Sequence, residues 1–281
     1  MLTRSPTFKP VNALTVHGVL LGYTLLALFP IILIVMNSFK SRQAIFNSPL
    51  ALPTLDSLSL EGYIRILERS DFGLFFFNSF VVTVVPLFLV IILAAMAAWA
   101  LAEYRFPGNK VMAIYLAIGI MIPIRLGTVS ILEIIVSLNL VNTRLALILV
   151  YTAQGLPLAI FILTEYMRQV PRDLKEAARC DGASEYRIFF QIVVPITRPA
   201  IATVAVFTMV PIWNDLWFPL ILAPSEGTRT IQLGVQQFIG QYATDWNAVL
   251  SALALAVMPA LVLYMFFSRQ LIRGLTAGAV K

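Results

Sequence analysis

Three ionisable residues, Arg125, Glu133 and Asp215, interrupt stretches that are otherwise apolar. A charge inside hydrocarbon costs about 3 kcal/mol at the centre of a helix, so such groups face an interior, pair with one another, or line a path. Structural pairing, within the chain or with a partner subunit, is the plain reading of all three. The functional reading has Trp213, Asn214 and Asp215, just after Pro211, line a polar site. An indole suits stacking on a ring, and an amide suits hydroxyl groups. Arg125 adds a guanidinium, which grips phosphate, sulfonate or carboxylate with two parallel hydrogen bonds. Little else in the chain suggests chemistry. His17, the single histidine, lies in an apolar stretch and reads as a satisfied or interfacial side chain. Cys180 is the single cysteine, so no intrachain disulfide can form. There is no set of residues at metal-ligand spacing and no nucleophile beside a base. The phosphate loop G-x-x-x-x-G-K-[ST] is missing, so the chain is not expected to hydrolyse ATP or to act as an enzyme.

The elements that must hold these residues read as membrane helices. Of 281 residues 59% are hydrophobic and only 12% charged, about half the usual charged share. No Asp, Glu, Lys or Arg occurs in Pro10–Phe39, Phe72–Ala102, Ala146–Thr164 or Trp246–Ser268. Each gap reaches the roughly 18 to 20 residues that a helix needs to cross a bilayer. Two more apolar stretches contain single charges, giving six expected spans at about 12–37, 75–101, 111–138, 145–167, 199–222 and 247–268. Continuous rather than alternating apolarity favours helices over barrel strands. Lys and Arg divide thirteen to six between the two sides, with Arg125 inside a span, which puts both termini in the cytoplasm. The net charge of +6 therefore reads as topology, not as affinity for nucleic acid. Arg4 and Lys9 before the first apolar run resemble a signal peptide, but the run is long and lacks a small-x-small cleavage site. It reads as a retained span. Each span carries a proline: Pro30, Pro86, Pro123, Pro157, Pro211 and Pro259. The outer segment Ser41–Asp71 is long and partly polar: the region of Pro49, Pro53 and Ser57–Ser59 reads as irregular chain, followed by a short amphipathic helix at the interface, Glu61–Arg69, with Tyr63, Ile64 and Leu67 on one face.

The loop between the fourth and fifth spans, Val170–Arg198, carries the densest local signals. Pro171 suits the first position of a helix, and Asp173 lies favourably near its positive end. Gly182 stops that helix. Ser184 caps a second helix expected to run to Val194 and to end at Pro195. The product is a cytoplasmic helical hairpin. Ala177 and Ala178 give its first helix a flat patch among Lys175, Glu176, Arg179 and Asp181.

In this spacing the loop resembles the EAA motif of ABC importer permeases: Glu-Ala-Ala, three residues, Gly, nine residues, then Ile-x-Leu-Pro. Glu176, Ala177, Ala178, Gly182, Ile192 and Pro195 match, and Val194 replaces the Leu. Phe106-Pro107-Gly108, Asn139-Leu140-Val141-Asn142-Thr143, Trp213-Asn214 with Pro219-Leu220, and the ending Gly274–Lys281 are similar to the carbohydrate-uptake branch of maltose and glycerol-phosphate type. The resemblance implies an all-α permease domain over 1–281, with the six-helix fold of type I importers, in the bacterial inner membrane. It implies a second permease, two cytoplasmic ATPases that hold ATP and Mg²⁺, an extracytoplasmic solute-binding protein and a sugar-type substrate. No cofactor is implied in this chain. Glu176, Ala177, Ala178, Arg179, Asp181 and Gly182 would form the ATPase contact, and Arg125, Glu133, Trp213, Asn214 and Asp215 the substrate path. The competing reading is a self-contained secondary transporter or channel. That would call for internal repeats and an ion relay, and neither is visible.

Overall fold

In the computed structural model, residues 13–240 and 244–277 are described, with side chains between 14 and 262 except 69, 241–243 and 260. Arg4, Lys9, the first residue of the 12–37 span and the last four of the Gly274–Lys281 ending lie outside the described residues. So do the side chains of the last span beyond 262. The chain divides into two units, Met1–Arg69 with Phe238–Leu255, and Ser70–Gln237 with Ala256–Lys281.

The first unit is built on α1 (Ala13–Ser38), α2 (Arg42–Asn47), α3 (Glu61–Arg69) and the beginning of α14 (Trp246–Ala277). α1 is apolar along its length, and from Leu14 to Phe29 its side chains, His17 included, are exposed, as suits a helix meeting lipid. α2 precedes the region of Pro49, Pro53 and Ser57–Ser59 that is expected to be irregular. Ser41 starts it by accepting a hydrogen bond from the Ala44 N–H at 3.4 Å. α3 forms at the expected residues. Ile66 and Gly62 are buried, and Tyr63 shares a 2.7 Å hydrogen bond with Ser38, whereas Ile64 and Leu67 are exposed. Gly62 decides this orientation: a Cβ there would stand 2.3 Å from the Asn247 carbonyl oxygen, so α3 meets α14 backbone to backbone. Asn247 donates to the Lys40 carbonyl at 2.8 Å, and Arg65 pairs with Asp245 at 2.9 Å.

The second unit is organised around the pair α4 (Phe72–Glu103) and α7 (Arg144–Arg168). Asp71 caps α4 through the Leu74 N–H, and Thr143 caps α7 through the Ala146 N–H. The helices approach closely because small residues meet: Ala94, Ala98 and Ala159 are buried, and a Cβ on Gly155 would lie 2.8 Å from a Val90 methyl. α5 (Asn109–Met121) lies against α7, while α6 (Thr128–Ser137) and α12 (Trp217–Leu222) join a second cluster around Tyr151 and Phe218. α11 (Arg198–Trp213) packs on both α4 and α7, and α13 (Ile231–Gln236) packs on α4.

Two expected spans are broken. The 111–138 stretch bends by 86° between α5 and α6, because Pro123 forces Ile122 into extended backbone and a short 3₁₀ turn, Ile124–Gly127, follows. The 199–222 stretch stops at Trp213 and restarts at α12 after a turn at 214–216. Asn139 and Asn142 both adopt the left-handed region, with φ of 57° and 59°, which asparagine tolerates better than most residues. Asn139 thereby closes α6: its N–H reaches the Val136 carbonyl and the Leu140 N–H reaches Ile135. The N-L-V-N run is thus a backbone device.

Candidate functional site

The loop after α7 folds into a hairpin of α8 (Arg172–Cys180) and α9 (Glu185–Ile188). Gly182 has φ of 77°, and its N–H bonds the Arg179 carbonyl at 3.0 Å while the Ala183 N–H bonds Ala178 at 2.9 Å. These two bonds satisfy the last carbonyls of α8 and turn the chain, as expected of this glycine. Ser184 caps α9 by accepting from the Arg187 N–H. Pro171 sits one residue before α8, not inside it. Pro195 does not end the second helix. The chain passes through it by widening into a π-turn over Phe189–Val193, where the Val194 N–H reaches back to Phe189, and continues as α10 (Val194–Ile196). A π-turn leaves room for a proline that lacks an N–H and crowds the preceding turn. The helix then bends by 74° at Thr197 into α11.

Ala177 and Ala178 do not form one patch. Ala178 packs inward on the core with Ile188 and Phe189, whereas Ala177 is exposed beside exposed Leu174, Glu176, Cys180 and Asp181. Tyr186 on α9 is also exposed. The opposite side of α8 is anchored by charge. Lys175, buried at 5% exposure, forms an ion pair with Glu103 at the end of α4, its ammonium 5.4 Å from the centre of the Trp99 ring. Arg179 bridges Glu103 and Glu185, each at 2.7 Å, and these carboxylates hold its guanidinium above its usual pKa. The Tyr104 hydroxyl donates to Glu185 at 2.9 Å. Arg179, expected at an ATPase contact, is therefore committed within the chain. Glu103, Tyr104 and Glu185 were not singled out from sequence, because a charge at the end of an apolar run looks like ordinary interfacial polarity.

The intramembrane candidates divide. Asp215 starts α12, accepting from the Trp217 and Phe218 N–H groups at 3.2 and 3.1 Å, and takes the Tyr151 hydroxyl at 2.9 Å. Arg125 comes within 3.6 Å of it, yet the Arg125 side chain is 67% exposed against 9% for Asp215. The Arg125 guanidinium also stands 5.8 Å from the centre of the Trp217 ring, whose indole N–H donates to Thr128. A cavity of about 70 Å³ lies among Arg125, Tyr151, Gln154 and Asp215. Trp213 is buried, donates to the Ala256 carbonyl at 3.0 Å and packs edge-on against Phe76. Asn214 is exposed, donates to Val210 and accepts from Gln232. Glu133 is exposed on the side of α6 opposite buried Ile135 and does not join the Arg125–Asp215 pair.

The model of the binding-protein-dependent transport system inner membrane component family matches residues 69–277, which include the hairpin and this pair. The chain belongs to that family. It is a permease subunit of an ABC importer, a component of transport and not an enzyme. The permease is 33% identical over 267 residues to a diacetylchitobiose uptake system permease protein of Streptomyces coelicolor, covering 94% of this chain and 88% of that one. It is 31% identical over 258 residues to a sulfoquinovosyl glycerol transport system permease protein of Agrobacterium fabrum, covering 90% and 89%. Its fold matches that of a bacterial ABC transporter involved in alginate import, with a TM-score of 0.79 and 22% identity over 94% of this chain and 99% of the other.

Proposed function

We propose that this permease carries a sugar or sugar derivative inward, powered by ATP bound with Mg²⁺ on two separate ATPase subunits. It would work beside a second permease and receive solute from an extracytoplasmic binding protein. The observation that carries the proposal is the hairpin. α8 turns an exposed face of Leu174, Glu176 and Ala177 outward, while Lys175 and Arg179 fasten its other side to the end of α4. A body docked on the outer face can then push on α4 through a short, charge-locked connection. The excess of Lys and Arg on the hairpin's side supports a cytoplasmic position for it and for both termini. Closure of the ATPases would move the hairpin and switch the helices from inward-facing to outward-facing. Reconstituted with its ATPases and loaded binding protein, the Gly182→Asp or Glu176→Lys variant should insert normally but lose solute-stimulated ATP hydrolysis. Normal transport by both would overturn the coupling role.

Sugar is supported by the two relatives, whose names specify diacetylchitobiose and sulfoquinovosyl glycerol. An anionic sugar is the finer form of the proposal. Asp215 is already satisfied by Tyr151 and two backbone N–H groups, so Arg125 keeps donors to spare for a sulfonate, phosphate or carboxylate. Arg125→Gln should then cut uptake of an acidic sugar by about tenfold or more and leave a neutral one unchanged. Equal uptake of both by the variant removes the acidic preference.

A further inference from the structure

One groove of the second unit borders the coupling hairpin and shares Glu176 with it. It opens where α4 ends, α5 begins and α7 passes into α8, and it encloses about 1130 Å³. Arg105, Lys110, Arg168, Arg172, Lys175 and Arg179 line it, against only two carboxylates, Glu103 and Glu176. Three of these cations are paired inside the chain: Lys175 with Glu103, Arg179 with Glu103 and Glu185, and Arg168 with Glu165 at 2.8 Å. The side chains of Arg105, Lys110 and Arg172 are exposed and carry no ion pair or hydrogen bond among the described residues. The groove thus keeps three unpaired cations around open space, against the single carboxylate Glu176 outside those pairs.

Its rim is apolar on one side. Phe106 and Val111 line it, and α5 rises from there without burying a single side chain, leaving Val111, Ile114 and Tyr115 exposed. A ligand suited to both features has a compact anionic head and long apolar tails. We propose that this groove binds an anionic phospholipid, with the phosphate among Arg105, Lys110 and Arg172 and the acyl chains along α5. Basic pockets at the ends of membrane helices take such headgroups, and guanidinium and ammonium groups are good phosphate donors. An acidic protein surface could match the charge, but it would leave the apolar face of α5 continuing from the groove unexplained. The inference rests on membership of an inner-membrane family and does not depend on the coupling reading.

The test uses the assembled permease–ATPase complex, purified in mild detergent after incubation with vesicles of phosphatidylglycerol or of phosphatidylcholine. Intact-complex mass spectrometry then counts retained lipid. The wild type should retain phosphatidylglycerol and not phosphatidylcholine. Each juxtamembrane cation weighs about fivefold in affinity, so the triple variant Arg105→Gln, Lys110→Gln, Arg172→Gln should lose on the order of a hundredfold. The variant with Arg105→Lys and Arg172→Lys, which keeps the charges, should retain the lipid and so controls for misfolding. Competition by inorganic phosphate without tails, at concentrations equal to the lipid, would reassign the groove to free phosphate and overturn the proposal. Equal retention by wild type and triple variant would also overturn it, as would lipid bound by the isolated permease but absent from the complex. ATP hydrolysis recorded on the same samples keeps this result separate from that for coupling.

Discussion

Trp213 shows how a side chain that looks chemical can be structural. Its indole N–H is used on the Ala256 carbonyl and its ring on Phe76, so it joins α11 to α14 from inside the packing. Trp213→Phe should cost about 1 kcal/mol, the worth of one hydrogen bond, whereas Trp213→Ala should cost about 3–5 kcal/mol by leaving a cavity. Thermal melting of the purified variants checks the order, and a larger loss for Phe than for Ala would refute the packing role. The sequence marks Trp213 as aromatic beside an amide, a pattern shared by sugar sites and by buried corners, and only the position of Ala256 separates the two. Arg125 and Asp215 are visible in sequence as charges in apolar surroundings. Their approach is not, because it depends on the turn at 214–216 that lets Asp215 start α12. Gly182 is the opposite case: a glycine after a short helix, in a fixed spacing, needs no tertiary knowledge to be read as a left-handed stop, and its φ of 77° agrees.

At the level of elements, the hairpin depends on a carboxylate that does not belong to it. Glu103 neutralises Lys175, which is nearly buried, and also binds Arg179. Removing it leaves the buried Lys175 ammonium unpaired, a change that typically costs about 3–5 kcal/mol. Glu103→Gln should therefore loosen α8 before it unfolds the bundle. The check is hydrogen exchange: Leu174–Cys180 should lose protection while the buried α4–α7 core keeps it, and uniform loss across both would show that Glu103 is simply part of the core. Helix existence was largely legible because apolar runs of this length have few alternatives in a membrane. The breaks were less so. Proline marks where a helix can bend, yet Pro86 and Pro157 lie within continuous helices while Pro123 sits at an 86° corner. Pro195 is passed by a π-turn. Whether a proline bends or breaks a helix is decided by its neighbours' packing, which sequence periodicity does not encode. The contact of α3 with α14 is hidden from the sequence for a related reason: it is made by Gly62, which contributes no hydrophobicity to the pattern.

For the whole molecule, function rests on dividing labour between faces. The second unit is held by close small-residue packing of α4 on α7, which suits an element that moves as a body. The side chains of α1 and α5 leave large apolar surfaces exposed in the single chain, as suits helices that meet lipid. Cys180, exposed at the end of α8, is the single thiol of the entire sequence. The permease therefore carries a built-in attachment point for a reporter dye at the place where its motor is proposed to seat, and no cysteine has to be removed or introduced. Maleimide labelling of Cys180 in the lone permease should be fast and should slow at least about fivefold when the ATPases are bound, as burial against a partner excludes reagent. An unchanged rate would place the motor elsewhere. A dye at this position would also report, by its emission colour during turnover, each time the transporter engages and releases its engine.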